Sequence, residues 1–451
     1  MQFQIMTLGC KVNQAESAGL ASVLTEHGLT ETGETAKADV LIVNSCAVTG
    51  ESVRKVRQLL RSLRRRNPNA LLLLTGCWPQ AFPEDDFSGT DFVTGTRDRA
   101  ALLNWLFDAL RSRPAAGEAS VITPYRKGDP FSEMPCADTT RTRAFLKIQD
   151  GCNQFCSYCI IPFARGRCRS MPLDRLRREA ESLSAQGFLE IVLTGINLGF
   201  FGDDTGCTIA DAVEICAEQA GFVRVRLGSL EPERMTPELL DRLSRCKKLC
   251  PQFHLSLQSG SDAVLRRMNR RYTAAEYRTL AENIHRLFPG AALTTDVIVG
   301  FPGETEEEFA ETLRFVREIG FAKVHVFPFS QREGTRAAGM PGQVPQPVRA
   351  ERAARLSALA DEIRSAHLAS RVGQRLTVLV EGEKQQNAQT FFSGHTPEGT
   401  LVKIFTENCE KGLQNSLICV TIEGYEQDSL TAVYRSGEEP EYGQGGTGCA
   451  E

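Results

Sequence analysis

Cys152, Cys156 and Cys159 stand as C-x3-C-x2-C inside the stretch KIQDGCNQFCSYCIIPFARG, residues 147–166. Three thiolates this close in an irregular loop are poor material for a core, but they can hold three irons of a cubane cluster. The fourth iron is then left without a protein ligand. A cluster with an open iron can bind and reduce a substrate, whereas a fully ligated one mainly passes electrons. Zinc sites use a different spacing, with C-x2–4-C pairs repeated at a distance.

Three further cysteines form a second pattern. QIMTLGC (4–10), DVLIVNSC (39–46) and ALLLLTGC (70–77) are short apolar runs that finish on Cys10, Cys46 and Cys77. Helical stretches at roughly 14–27 and 51–66 separate them, giving β-α-β-α-β. Such a unit makes a parallel sheet with right-handed crossovers. The carboxyl ends of its strands line one edge, where ligands bind in open α/β sheets. The three cysteines are therefore expected to converge in space. Burial of inert cysteines is the competing explanation, but it does not account for each one lying at a strand's last position beside a glycine or a turn-forming polar residue. A second three-cysteine iron–sulfur site is the preferred reading.

The C-x3-C-x2-C loop resembles the signature of the radical S-adenosylmethionine (SAM) enzymes. The resemblance implies that the open iron takes the amine and carboxylate of SAM and that Tyr158 sits near its adenine. A cysteine-bearing α/β domain followed by a radical-SAM domain resembles the methylthiotransferases, in which both [4Fe-4S] clusters have three protein ligands. The likeness runs from TLGCKVNQAES (7–17) to TDVIVGFPGE (295–304). CKVNQ and KIQDGCN look most like the branch that converts N6-threonylcarbamoyladenosine (t6A), at position 37 of tRNA, to its 2-methylthio derivative. The same chemistry on isopentenyladenosine in tRNA, or on an aspartate of a ribosomal protein, is the near alternative. A two-cluster RNA-binding or electron-transfer protein is the alternative of a different class. The resemblance also implies an electron donor of flavodoxin or ferredoxin type, and it leaves the sulfur source open. Cys168, nine positions after Cys159, would close the open iron if it were a ligand. It is read as incidental, because the resembled sequences generally carry a polar residue other than cysteine there.

SAM needs polar partners at the carboxyl ends of several strands. TGIN (194–197), SLEP (229–232), HLSLQSG (254–260) and IVGFPGE (298–304) supply such ends. Gly195 would let backbone approach a ligand, and Asn197, Glu231, Ser256 and Gln258 are the other candidate cofactor contacts. Ordinary rim-turn chemistry is the competing explanation for each of them.

The elements that must position these residues follow from pattern and composition. At 451 residues, 41% hydrophobic and 24% charged, the chain reads as a globular protein of two or three domains. No apolar run approaches the roughly 20 residues of a membrane span, and no membrane partner is expected. MQFQIMTLGC reads as a first strand rather than a secretion signal. Fifteen cysteines then argue for metal or redox chemistry in a reducing compartment, the cytoplasm.

The expected fold is α/β and multidomain. An open parallel α/β sheet (1–111) and a linker (112–137) precede a radical-SAM (β/α)6 partial barrel (138–370). A small all-β barrel resembling the RNA-binding TRAM domain (371–434) and a disordered tail (435–451) follow. Strands are expected at 144–149, 190–196, 223–230, 253–259, 293–301 and 323–330. Helices are expected near 174–187, 208–220, 236–246, 262–288, 304–319 and 347–370. The cysteine loop follows the first of these strands, at the end where α/β barrels put their chemistry.

Net charge is −4, so contact with nucleic acid must come from local basic patches. Arg54, Lys55, Arg57, Arg61, Arg64, Arg65 and Arg66 crowd one helix with no acid among them, and this face is read as contacting RNA. Arg165, Arg167 and Arg169 follow the cysteine loop and are expected to hold substrate phosphates, with structural pairing to nearby acids as the alternative. Cys136 falls in the linker. Cys207, Cys216, Cys246 and Cys250 fall on or beside barrel helices and are read as core or surface residues. His254 and His325 are read as satisfied strand residues.

Overall fold

The computed structural model describes residues 1–112, 119–135, 137–386, 389–406 and 412–435. Its first sheet is six-stranded and wholly parallel, in the order Thr30–Glu31, Gln2–Leu8, Val40–Ser45, Leu71–Gly76, Phe92–Thr94, Ala119–Val121. Period-2 alternation explains how the central strand serves both faces. Leu41 and Val43 pack with Val53, Val56, Leu60 and Leu63 of the helix Gly50–Arg66. Val40 and Ile42 pack with Leu20, Leu24, Leu102 and Leu106 on the other side.

The three strands that precede cysteines end in register, Leu8 beside Ser45 and Ser45 beside Gly76. The cysteines lie just past those ends rather than on them. Gly76 has φ +109°, and a Cβ there would fall 2.4 Å from the Ser45 carbonyl oxygen. Only glycine can make this turn, and Cys77 opens the short helix Cys77–Ala81 directly after it. The segment expected as a linker is partly structured, because Ala119–Val121 completes the first sheet. Cys136 lies outside the described residues.

The middle of the chain is a second parallel α/β layer. Ala144–Lys147, Glu190–Thr194 and Arg224–Leu227 form one parallel set, edged by the antiparallel Ala137–Asp138. Ser229–Leu230, Gln252–Leu255, Ala292–Val299 and Lys323–Pro328 form another. The expected strand 223–230 is thus divided at Gly228, whose N–H donates to the Leu193 carbonyl at 2.9 Å. One apolar core runs beneath both sets. The stretch 262–288 is two helices, Asp262–Arg267 and Ala274–Leu287, instead of one. Asn269, at φ +61°, ends the first of them. A long helix, Gln346–Ala369, closes this part.

The last described segment is a closed barrel of Arg375–Gln386, Gln389–His395, Leu401–Thr406, Leu417–Glu426 and Ser429–Tyr434. Val378, Val380, Val402, Ile404, Val420 and Leu430 fill it. It is joined to the middle layer by arginines that donate to its main chain. Arg224 reaches the carbonyls of His395 and Thr377, both at 3.0 Å, and Arg226 those of Pro397 at 2.8 Å and Thr396 at 3.1 Å. The tail from residue 436 lies outside the described residues. Among those described, no helix is long and apolar enough to cross a membrane.

Candidate functional site

The loop carrying Cys152, Cys156 and Cys159 is held by backbone that only special residues allow. Gly151 has φ +70°, and a Cβ there would meet the Arg167 carbonyl oxygen at 2.0 Å. Phe155 adopts φ +50°, and its carbonyl accepts from Asn269 Nδ2 at 3.0 Å. Ser157 donates from its N–H to the Met268 carbonyl at 2.9 Å and from its hydroxyl to the Arg267 carbonyl at 2.8 Å. The break between the helices Asp262–Arg267 and Ala274–Leu287 is therefore what clasps the loop.

Burial raises the pKa of all three thiols, that of Cys159 to about 12. Free thiolates are disfavoured in such a setting, whereas a metal takes the proton's place on each sulfur and is itself a compensating charge. Two N–H groups already point at sulfur. Gln154 N–H donates to Cys152 Sγ at 3.4 Å and Arg270 Nη1 to Cys156 Sγ at 3.2 Å. Beside the loop, Gln154 Oε1 and Glu233 Oε2 are buried without a hydrogen-bond partner among the described residues. Open acceptors of this kind suit a ligand bearing N–H donors, as SAM does.

Arg270 is the hub of the site, and no sequence signal marks it while 262–288 reads as continuous helix. Besides Cys156 it donates to Glu231, to the Ser256 carbonyl at 3.0 Å and to the Tyr272 hydroxyl at 3.3 Å. Asn197 Nδ2 donates to the other Glu231 oxygen at 2.8 Å, and the Asn197 N–H donates to Gln149 Oε1 at 2.9 Å. Burial pushes the Glu231 carboxyl up to about 7, although Arg270 and Asn197 favour its charged form.

Asn197, Glu231 and Ser256 are thus gathered about Cys156, Ser256 through its backbone. Gly195 packs so closely on Gln149 that a Cβ would come within 2.8 Å of Oε1. Gln258, at φ +65°, is held through its backbone to Asp296 and Ile298. Tyr158 lies edge-on to Phe301, ring centroids 6.4 Å apart. The Cys168 thiol donates to the Phe200 carbonyl at 3.1 Å and packs with Cys152.

Cys10, Cys46 and Cys77 converge at the edge of the first sheet. Asn13 spans two of them. Its Oδ1 accepts from the Cys10 N–H and thiol, both at 3.3 Å, and its Nδ2 lies 4.0 Å from Cys77 Sγ. The Val48 N–H donates to Cys46 Sγ at 3.4 Å. Burial raises Cys46, and raises Cys77 to about 12, and in each case the neighbouring thiols of the triplet add to the rise. Among the described residues no three His, Cys, Asp or Glu side chains are gathered as for a single metal ion. A cubane makes a different demand, since each thiolate meets its own iron at a separate corner. Both donor sets suit that demand.

A buried ionic network joins the two cysteine sites. Glu16, on the helix that begins after Cys10, pairs with Lys147 at 2.6 Å, Arg165 at 2.8 Å and Arg99 at 2.9 Å. Asp150 pairs with Lys147 at 2.5 Å and Arg165 at 3.0 Å. Burial disfavours the Glu16 carboxylate, yet Arg165, Arg99 and Lys147 hold its pKa well below the usual range.

This corrects the expectation for Arg165, which is fully buried and paired to acids and therefore out of reach of RNA. Arg169 is likewise buried, 3.5 Å from Asp150. Arg167 is exposed, over the ring of Phe155. The helix Ile161–Arg165 also packs against Cys77–Ala81, with Ile160, Ala164, Cys77 and Trp78 in one apolar cluster.

The basic helix Gly50–Arg66 borders a groove of about 1010 Å³ together with Arg332. An acid does open this helix, for Glu51 holds Arg54 at 2.6 Å. Arg57 is paired with Asp85 at 2.8 Å, and Arg64 with Asp91 at 2.6 Å. Arg61 and Arg65 face the groove without an ion pair among the described residues. His254 bonds Thr294 and Asp296 within its sheet. Cys216 and Cys250 are buried.

Residues 146–316 match the model of the radical SAM superfamily, and residues 2–95 that of an uncharacterised protein family, UPF0004. The threonylcarbamoyladenosine tRNA methylthiotransferase MtaB of Bacillus subtilis is 38% identical over 86% of this chain and 87% of its own. That of Thermotoga maritima is 37% identical over 84% and 86%. A tRNA-2-methylthio-N(6)-dimethylallyladenosine synthase of Clostridium botulinum is 35% identical over 89% and 90%. Among solved structures, the radical SAM methyltransferase TsrM of Kitasatospora setae shares the fold. Its TM-score is 0.52 at 15% identity, over 75% of this chain and 74% of that one. With relatives of one chemistry matched over more than four fifths of both chains, and a radical SAM match across the cysteine loop, the chain belongs to the radical-SAM tRNA methylthiotransferases, MtaB type, transferases that use SAM and [4Fe-4S] clusters.

Proposed function

We propose that the enzyme methylthiolates C2 of t6A at position 37 of tRNA, with one [4Fe-4S] cluster on Cys152, Cys156 and Cys159 and another on Cys10, Cys46 and Cys77. The carrying observation is the buried bridge of Glu16, Lys147, Arg165 and Asp150, which links the helix after Cys10 to the segments flanking the Cys152–Cys159 loop. The C2–H bond of an adenine is neither acidic nor polarised enough for side-chain acid–base catalysis. When bound, the clusters and SAM would supply the radical, the methyl group and an iron site to hold the sulfur, whose source stays open.

The chain's own residues bind and orient. Arg270 fixes Cys156 and Glu231 in one hydrogen-bonded frame, and Glu231 and Asn197 offer that frame to the amine or ribose of SAM. Tyr158 is assigned to the adenine, with Gly195, Ser256 and Gln258 completing the cofactor wall. Cys10 opens onto a cavity of about 670 Å³ lined also by Thr194, Gly195, Gly228 and Ser229, at and just beyond strand ends. The nucleoside is assigned to this cavity.

Arg61 and Arg65, with Arg54, Arg57 and Arg167, make the surface for the tRNA backbone. The closed barrel after residue 374 serves as a TRAM-like RNA-binding module. The domains are read as 1–111 extended by the strand Ala119–Val121, 138–370 and 371–434, the electron donor as a flavodoxin or ferredoxin, and the compartment as the cytoplasm.

Nucleoside mass spectrometry of tRNA from a deletion strain tests the substrate. Loss of 2-methylthio-t6A, with 2-methylthio-isopentenyladenosine retained, is the expected outcome. The reverse pattern would refute the assignment to t6A.

A further inference from the structure

The cavity assigned to the nucleoside is lined by charged side chains that neutralise one another, with one exception. Arg226 pairs with Glu190 at 2.6 Å and Lys323 with Asp428 at 3.1 Å. Arg364 approaches Asp428 at 3.7 Å, His254 pairs with Asp296 at 3.3 Å, and Glu398 pairs with Arg371 at 3.6 Å. Lys11 also lines the cavity, and its ammonium has no carboxylate or hydrogen-bond partner among the described residues.

The surroundings of Lys11 make a free positive charge less comfortable still. Its ammonium lies 5.7 Å from the centroid of the Phe145 ring, and the guanidiniums of Arg141 and Arg143 lie over the same ring at 5.6 and 5.5 Å. Each of those arginines has an acid, Asp138 at 3.2 Å and Glu381 at 2.9 Å. Glu190 also approaches Arg143, at 3.7 Å, but it is shared with Arg224 and Arg226, so Lys11 is the one cation of the three at this ring with no carboxylate at ion-pair distance among the described residues. Lys11 is also the first residue of the helix Lys11–Glu26, whose N-terminal dipole favours an anion at the same spot. An incoming anion would relieve the repulsion and complete the set.

We infer that Lys11 is the carboxylate-recognising residue of the nucleoside site. Its ammonium takes the anionic group carried by the N6 substituent and holds the base beside Cys10. This rests on the reading of the substrate as t6A, whose threonyl group bears a carboxylate. An isopentenyl substituent bears none and would leave Lys11 unpaired. A phosphate of the RNA backbone would satisfy the same ammonium, so the test must separate the two.

The reconstituted enzyme is titrated with anticodon stem-loops of one sequence whose position 37 is t6A, the threonine amide of t6A, unmodified adenosine or isopentenyladenosine. Wild type is compared with Lys11→Met, Lys11→Gln and Lys11→Arg, each with measured iron content and visible spectrum. Wild type is expected to bind the t6A stem-loop about tenfold more tightly than the amide, as one charge-assisted hydrogen bond allows. K11M and K11Q should lose that preference and bind the unmodified stem-loop as wild type does, while K11R should keep it.

Preference retained in K11M and K11Q would overturn the inference. Equal weakening for every stem-loop would also overturn it, since that is the behaviour of a phosphate contact or a structural residue. A wild-type enzyme that binds acid and amide alike, yet prefers both to isopentenyladenosine, would refute the role of Lys11 alone, whereas preference for isopentenyladenosine would refute the t6A reading itself.

Discussion

Arg165 and Glu16 are 149 positions apart in the chain, yet they share two hydrogen bonds of 2.8 and 3.0 Å in a site closed to solvent. Arg165 ends the short helix after Cys159, and Glu16 lies on the helix after Cys10. The pair fixes one cysteine triplet against the other, and with Lys147, Arg99 and Asp150 it forms the ionic joint between the first sheet and the middle layer. Breaking a buried pair by removing one partner strands a charge and costs about 3–5 kcal/mol. Glu16→Leu, which leaves Arg165, Arg99 and Lys147 short of a counter-charge, is expected to lower the unfolding free energy by that order. A double variant that also replaces Arg165 with Met should recover part of the loss. Chemical denaturation of the apoprotein measures both.

The same joint sets a dependence on pH. The Glu16 carboxyl is depressed in the folded protein from its ordinary value of 4.5. The unfolded chain therefore binds a proton near pH 4.5 that the folded chain still refuses. The stability from Glu16 is fully present above that pH and is lost as pH falls through the lower folded value. Melting temperatures taken downward from pH 6 should fall more steeply in wild type than in Glu16→Gln, and the two slopes should match above about pH 5.5. Equal slopes throughout would show that Glu16 is not held ionised.

Arg270 is expected to govern the use of SAM. Its guanidinium reaches Cys156, Glu231 and the Ser256 carbonyl at once, a planar fork that lysine cannot reproduce. Arg270→Lys should retain a cluster, by iron content, yet lose about tenfold or more in dithionite-driven formation of 5′-deoxyadenosine. Unchanged cleavage of SAM in that variant would remove Arg270 from the site.

The two triplets should separate in function. Replacing Cys10, Cys46 and Cys77 by alanine is expected to remove roughly four irons per chain and to abolish methylthiolation, while SAM cleavage survives. Replacing Cys152, Cys156 and Cys159 should remove a similar amount and abolish both. Iron analysis and product chromatography distinguish the two outcomes.

Within the basic groove, the arginines without acids should matter most. Arg61→Ala and Arg65→Ala are each expected to weaken tRNA binding and to reduce the slope of log K against log salt by about 0.9 or less. Arg54 and Arg57, already engaged by Glu51 and Asp85, should give smaller changes. Filter binding over a range of salt reads all four.

The convergence of Cys10, Cys46 and Cys77 and nearly every strand were legible because their signals are local. Apolar runs of period 2, with cysteine at their ends, survive reading along the chain. The misreadings share a physical cause, since they turn on contacts between distant segments. FARGRCRS looks like a basic patch until Glu16 folds against Arg165. The single helix expected over 262–288 hid Arg270, because the left-handed Asn269 that breaks it is stabilised by the Phe155 carbonyl, 114 positions away. The strand Ala119–Val121 escaped notice because so short a segment carries no period, and it is defined by pairing with Phe92–Thr94.

Arg224 and Arg226 grip the C-terminal barrel through the carbonyls of Thr377, His395, Thr396 and Pro397. Every residue type offers a carbonyl, so this joint reads the course of the barrel's backbone and is indifferent to most of its side chains. Barrel side chains other than those that pair with the middle layer, such as Glu381 with Arg143 and Asp428 with Lys323, can therefore drift in sequence without loosening that grip. Change on the barrel's outer face is thereby uncoupled from the residues about the cysteine loop.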